Sequence, residues 1–314
     1  MHSDPMILQP RVAVVLAYFN GSRWIEDQLQ SIEDQDYPNI DVFIFDDASQ
    51  RAEKEFLASI VDRYKRVKSV VYRPRNLGFQ MNFLEGLKEV KGEYDYYAFS
   101  DQDDMWYPNK ISRAIEILSA KDSDYKLYGS RTEIWCDKKK KSVGFSPLMK
   151  KLPSFGNSLS QNIMGGNTMM FCNHLKTLLI KINTKPASHD WIVYQLCTGV
   201  GGFVFYDAKP SILYRQTGSN LIGSNNSMRA RLRRVGMLFG HVFRNWSETS
   251  TGILSQFFEL FRDQERQLFI NFQINKNGNL LNRLKFFFGL GHTMRRQTFP
   301  QNVMLVIAFI CKKI

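Results

Sequence analysis

Four apolar runs constrain this chain most, because each stops on polar residues and leads into a helical pattern. Val12 to Phe19 (VAVVLAYF) halts at Asn20-Gly21-Ser22, and Asp41 to Phe45 at Asp46-Asp47-Ala48-Ser49. Val67 to Tyr72 halts at Arg73-Pro74-Arg75-Asn76-Leu77-Gly78, and the aromatic run Tyr94 to Phe99 at Ser100-Asp101-Gln102-Asp103-Asp104. Between these runs apolar residues recur at helical spacing. Ile25, Leu29 and Ile32 form one such set, Leu57, Ile60 and Tyr64 a second, and Phe83, Leu84 and Leu87 a third. Pro108 fits the first turn of a fourth helix through Ile111, Ile115 and Leu118. The order βαβαβαβ predicts an α/β fold with a mostly parallel sheet, right-handed crossovers and flanking helices.

In such a sheet the polar strand ends share one edge, where ligands bind. Asn20, Asp46-Asp47, Arg75-Asn76 and Asp101 to Asp104 would all lie there. One Asp-Asp pair at a strand end is more often a turn or a helix cap than a site. Two pairs on successive strand ends, with an Arg-Asn between them, favour function. Three carboxylates in the four residues Asp101 to Asp104 repel one another unless a cation holds them, so a metal–diphosphate site is expected. No Gly-x-Gly-x-x-Gly follows the first strand, and no Walker A sequence occurs, so dinucleotide and P-loop folds are not supported.

The chain has 314 residues and a net charge of +12. Leu221 to Ile314 carries 14 Lys and Arg against 4 acids, so nearly all the excess is C-terminal. No RNP, KH or zinc motif accompanies the charge, and nucleic acid is not an expected partner. The four cysteines show no CxxC spacing and read as reduced, buried thiols of a cytoplasmic protein. No signal-peptide pattern or spanning segment is read; the run Val303 to Cys311 is far shorter than the ~20 residues a span needs.

Downstream, Leu127 to Cys136 and Val143 to Phe145 predict a hairpin around Lys138 to Lys141. Asn162 to Cys172 reads as a buried strand kinked at Gly165-Gly166. Ser188-His189-Asp190-Trp191 opens a helix, with Ser188 as N-cap and Asp190 in the first turn. Phe203 to Tyr206 and Ile212 to Arg215 are further strands.

These stretches, in this order, resemble the inverting glycosyltransferases of family 2, with a GT-A fold. The resemblance covers about residues 11 to 224 and rests on VAVVLAYFNGS, DVFIFDDAS, RNLGFQMNF and FSDQDDMWYPNK. SDQDDMW, SHDW and LYRQTGSNLIG are similar to bacterial rhamnosyltransferase-like enzymes of surface-polysaccharide synthesis. The resemblance implies that Tyr18 and Asn20 line a nucleotide pocket, that Asp46 and Asp47 contact the base, and that Arg75, Asn76 and Gly78 border the nucleotide. It implies that Asp101 and Asp103 hold the ribose and a divalent metal, Mg²⁺ or Mn²⁺, on the diphosphate. Asp190 matches the catalytic base, with His189 its rival. Trp106 and Trp191 would wall the sugar and acceptor site, and Arg215 and Gln216 would pack near the donor phosphates. Thr217 stands where many relatives have His, Ala48 where Gly is usual, and Ile192 where another aromatic is usual.

The expected reaction is metal-dependent, inverting sugar transfer from dTDP-rhamnose to a glycan acceptor, lipid-linked, in cell-surface polysaccharide or O-antigen synthesis. The alternatives are a UDP-hexose donor, or a nucleotide-sugar-binding protein without catalysis. Two regions are expected: a catalytic domain over 1–224 and a basic helical region over 225–314. In the latter, Met228, Leu232, Val235, Leu238 and Val242 recur at helical spacing among arginines, the pattern of an interfacial helix. Membrane-surface docking at the inner face of the cell membrane is the expected use of this region, with packing on the catalytic unit or on another copy as the alternative.

Overall fold

The computed structural model describes residues 9–216, 242–289 and 293–314. The first strand, β1 (Val12–Tyr18), is flanked by β2 (Ile40–Asp46) and β4 (Tyr96–Ser100), with β3 (Val67–Tyr72) outside β2. All three pairings are parallel. Tyr18, Asp46 and Tyr72 lie in register, and Leu16 is level with Ser100, so the polar strand ends do share one edge. The helices α1 (Ile25–Glu33), α2 (Arg51–Ile60), α3 (Phe79–Glu89) and α4 (Lys110–Ser119) alternate with these strands. Val12 to Leu16 are fully buried, as an apolar strand covered on both faces must be.

Beyond β4 the sheet becomes mixed. It continues through β8 (Met170–Cys172), β6 (Lys126–Cys136) and β9 (Phe203–Gln216) to the two-residue β5 (Met105–Trp106). β7 (Lys141–Phe145) pairs with β6 as the expected hairpin, completing nine strands among the described residues. The acidic residues Asp101 to Asp104 connect β4 directly to β5, four strand positions away. At about 4.8 Å per position and at most ~3.6 Å per residue, so short a link can close only over a curled sheet. The loop therefore arches over the C-terminal edge.

Two expectations change. Asn162 to Cys172 is a strand only at Met170–Cys172; Gly166–Thr168 forms a 3-10 turn instead. The reason is that the Gly166 N–H donates to the Asp190 carboxylate at 3.1 Å and is lost to the ladder. The two short strands expected after Gly202 are one long strand, β9, whose register with β6 shifts near Arg131.

Three further helices complete this half: α5 (Phe155–Ser158), α6 (Asn173–Leu179) and α7 (His189–Gly199). The C-terminal helices are α8 (Val242–Ser255), α9 (Asp263–Lys276), α10 (Leu280–Phe288) and α11 (Phe299–Ile310). Their buried residues, among them Leu254, Phe269, Phe272 and Phe309, join the same apolar cluster as the sheet. Residues 217–241 lie outside the described part, so Thr217 and most of the Arg-rich segment expected as an interfacial helix lie there too. Among the described residues no helix is long and apolar enough to cross a membrane.

Candidate active site

The acids at the sheet edge sort into two kinds. Asp46, Asp47 and Asp104 are buried and fully engaged. Asp46 accepts the Ser49 N–H, with Lys54 Nζ 3.8 Å away. Asp47 accepts Leu77 N at 2.7 Å and Gly78 N at 2.9 Å, while Asn76 Nδ2 donates to the Asp47 carbonyl. This ties the end of β2 to the start of α3. Asp104 accepts Asn167 Nδ2 at 2.7 Å and the Arg215 N–H at 3.2 Å. Asp101 and Asp103 are different: among the described residues, no other side chain donates a hydrogen bond to either carboxylate. Burial and the charges of Asp103 and Asp190 push the Asp101 carboxyl up to about 7. Burial likewise raises Asp103. Two crowded carboxylates that no other described side chain hydrogen-bonds offer hard oxygen ligands of the kind Mg²⁺ and Mn²⁺ take. The residues therefore fit a divalent cation that a diphosphate and water would complete.

The loop is held from three sides. The Gln102 side-chain amide accepts the Phe19 N–H at 2.7 Å and donates to the Phe19 carbonyl at 3.0 Å, as a strand would. A Cβ on Gly21 would sit 2.3 Å from Gln102 Oε1, so a side chain there would displace that amide. The Arg215 guanidinium donates to the Asp103 carbonyl at 2.9 Å and to Asp137 and Asp27 at 2.7 Å each. Lys110, fully inside, donates to the Asn167 carbonyl and lies 4.1 Å over the Trp106 ring. Burial lowers its ammonium to about 7 against the opposing pull of Asp104 and Asp101.

Asp190 is oriented by two donors. The Ser188 hydroxyl donates to Oδ1 and the Gly166 N–H to Oδ2. Its charge adds to the upward shift of Asp101. Asn20 keeps its place at the rim: it has φ +47°, and its Oδ1 accepts the Gln50 N–H. Arg75 and Asn76 are exposed at the same rim, beside Gly78, which turns through φ +80°.

Five assignments are corrected. Tyr18 is buried, and its hydroxyl donates to Glu53 at 2.9 Å, bracing α2 instead of lining an open pocket. Trp106 is 4% exposed and belongs to the core. His189 is 5% exposed, stacked on Phe83 at 4.2 Å and edged by Phe99 and Phe79; burial lowers its pKa, so it is a neutral ring in an aromatic cage, not an accessible base. The Trp191 Nε1–H donates to the Ser158 carbonyl, and the indole meets Trp246 edge-on, so it faces the C-terminal helices. Arg215 is 3% exposed and committed to acids and backbone, so it shapes the loop instead of touching sugar. Gln216 ends β9 in register with Cys136.

Sequence reading missed Glu53, Gln102, Lys110, Asp137, Asn167 and Ser188 as parts of this scaffold. Gln102, Lys110 and Ser188 lie inside motifs already singled out. Nothing local marks Asp137, which resembles any acid in a lysine-rich turn until β9 brings Arg215 to it.

A curled, mostly parallel α/β sheet flanked by helices is the GT-A architecture. The sequence profile of Glycosyl transferase family 2 matches residues 13–183, and the chain belongs to that family. It is a glycosyltransferase. Among its relatives is the dTDP-rhamnosyl transferase RfbG of Shigella flexneri, 28% identical over 286 residues, covering 86% of this chain and 92% of that protein. The fold is shared with S. aureus TarS 1-349 in complex with UDP-GlcNAc, at a TM-score of 0.53 and 13% identity over 96% of this chain and 90% of that one. It is shared equally with the mannosyltransferase PcManGT from Pyrobaculum calidifontis in complex with GDP-Man and Mn²⁺, at a TM-score of 0.53 and 14% identity over 98% and 86%.

Proposed function

We propose that this enzyme transfers a sugar from a nucleoside diphosphate donor to a glycan hydroxyl with inversion, in the synthesis of a surface polysaccharide. One observation carries the reading: among the described residues no other side chain donates a hydrogen bond to Asp101 or Asp103, while Asp190 is held in a fixed orientation by Ser188 and Gly166. Asp101 and Asp103 would hold Mg²⁺ or Mn²⁺. When bound, such a cation offsets the charge that grows on the departing diphosphate. Asn20, Arg75, Asn76 and Gly78 border the nucleotide; Asp46 and Asp47 shape that border by fixing its loops.

Asp190 accepts the proton of the acceptor hydroxyl as that oxygen bonds to the anomeric carbon and the diphosphate leaves. General-base help of this kind contributes about 10²–10⁴-fold. A single base acting opposite the leaving group gives inversion. The hydrogen bonds from Ser188 and Gly166 hold that carboxylate in one orientation.

The donor in this reading is dTDP-rhamnose, on the strength of the likeness to RfbG over most of both chains. A UDP-hexose is the second reading, favoured by the fold shared with a UDP-GlcNAc complex. The acceptor is lipid-linked, and the enzyme works peripherally at the inner face of the cell membrane. A thermal-shift panel of nucleotide sugars, with Mn²⁺ or with chelator, tests donor and metal together. Stabilisation by dTDP-rhamnose that chelator abolishes is expected; equal shifts with chelator would sink the metal role. Asp190→Asn should keep donor binding and lose at least 10²-fold in kcat, and near-normal turnover would end its assignment as base.

A further inference from the structure

The C-terminal helices leave an apolar face uncovered. On α11, Phe299, Val303 and Ile307 are exposed, spaced four residues apart along one stripe. On α10, Leu281 and Phe288 are exposed as well; Phe288 is 81% and Phe299 80% accessible. The two helices pack together through Phe286, stacked on Phe309 at 5.2 Å, and through Arg283, which donates to the Ile310 carbonyl at the end of α11. Their exposed residues thus sit on one packed helix pair.

The charge pattern says what covers it. From Arg266 to Ile314 there are eight Lys and Arg and no Asp or Glu. Residues Phe299 to Ile310 include no charged side chain, yet Arg295-Arg296 precede them and Lys312-Lys313 follow. Arg295, Lys285 and Lys312 are exposed. An uncharged helix of 12 residues is about 18 Å long, too short for a hydrocarbon core of about 30 Å. Apolar residues with cations at both ends suit a helix lying in the plane of lipid headgroups. A second copy docking through the same patch would bring like charges together across a two-fold axis.

We propose that the α10–α11 face docks on an anionic lipid surface, with Phe288 and Phe299 as its inserted anchors. This surface differs from the Arg-rich segment singled out in the sequence, and it deepens the proposed work on a lipid-linked acceptor. The face also connects to the base. Asn157 Nδ2 donates to the Arg295 carbonyl and Ser160 to the Met294 carbonyl, while Trp191, next to Asp190, donates to the Ser158 carbonyl. One short segment therefore ties the start of α11 to the helix bearing Asp190.

The test is vesicle flotation of the full chain without donor or acceptor. Wild type should float with phosphatidylglycerol-containing vesicles and stay behind with pure phosphatidylcholine. Phe288→Ser with Phe299→Ser should cut the bound fraction at subsaturating lipid by about tenfold or more, since both anchor area and binding fall together. Val143→Ser, on the exposed β7 hairpin, should leave it unchanged. Matching melting curves would show that the double variant is folded. Light scattering runs alongside. A wild-type dimer that the double variant splits, with no flotation, would overturn the lipid assignment in favour of a second copy. Unaltered flotation of the double variant would overturn it too. Flotation needs no sugar donor, so failure of the proposed reaction would leave this result standing.

Discussion

Ala48 sits at φ +63°, a left-handed conformation that costs a side chain with Cβ about 1–2 kcal/mol. It persists because the turn is overdetermined: Asp47 fixes α3 on one side, and Ser49 accepts the Asn20 N–H on the other. Ala48→Gly should relieve that strain against about 0.4–1 kcal/mol of added chain entropy. A net gain of about 0.5–1 kcal/mol in urea unfolding is expected. Arg215 is the opposite case, a buried cation whose guanidinium joins Asp137, Asp27 and the Asp103 carbonyl. Arg215→Ala should cost about 3–5 kcal/mol, and Arg215→Lys should not rescue it, because one ammonium cannot reproduce three directed bonds. His189 gives a pH prediction. Its folded pKa lies below the unfolded value of about 6.5, so the unfolded chain binds more protons at low pH. Its share of stability is complete above that value and falls away as the pH drops below it. His189→Phe should therefore lose less melting temperature than wild type between pH 7.5 and 5.5.

The acidic loop is the element on which the site depends. Its strand-end position is legible in the motif, and among the described residues no other side chain donates a hydrogen bond to Asp101 or Asp103. Reading could not foresee that Asp104 braces Asn167 and β9, or that Gln102 pairs with the backbone of Phe19. Both are contacts between residues far apart in the chain, and they carry no periodic signal. Gly21→Ala should push the Gln102 amide aside and loosen the loop. A severalfold rise in donor KM is expected, with kcat falling less. Because the alanine acts through Gln102, the double variant Gly21→Ala/Gln102→Ala should be no worse than Gln102→Ala alone. Fully additive losses in that cycle would refute the coupling.

At the scale of the molecule, the C-terminal helices are built into the same core as the sheet. Phe309 stacks on Phe286 and lies 6.2 Å from Phe272, and the Thr293 backbone passes so close to Gly156 that a Cβ there would meet it at 2.6 Å. Deleting residues 299–314 should uncover Phe272 and Phe286, lower the melting temperature and raise dye binding to exposed apolar surface. A truncated chain that melts like the full one would mean that α11 is an independent appendage.

The sequence by itself determined the alternation of strands and helices, because a 2-fold or 3.6-fold apolar period is a local property that survives any later packing. It also determined which residue types stand at the strand ends, and so the class of chemistry. Only the tertiary structure decided which of those acids other elements tie into the scaffold. Asp46, Asp47 and Asp104 look no different in the chain from Asp101 and Asp103. Their difference lies in backbone N–H groups and side chains delivered by other elements, and in a sheet that curls until a four-residue loop can cross its edge.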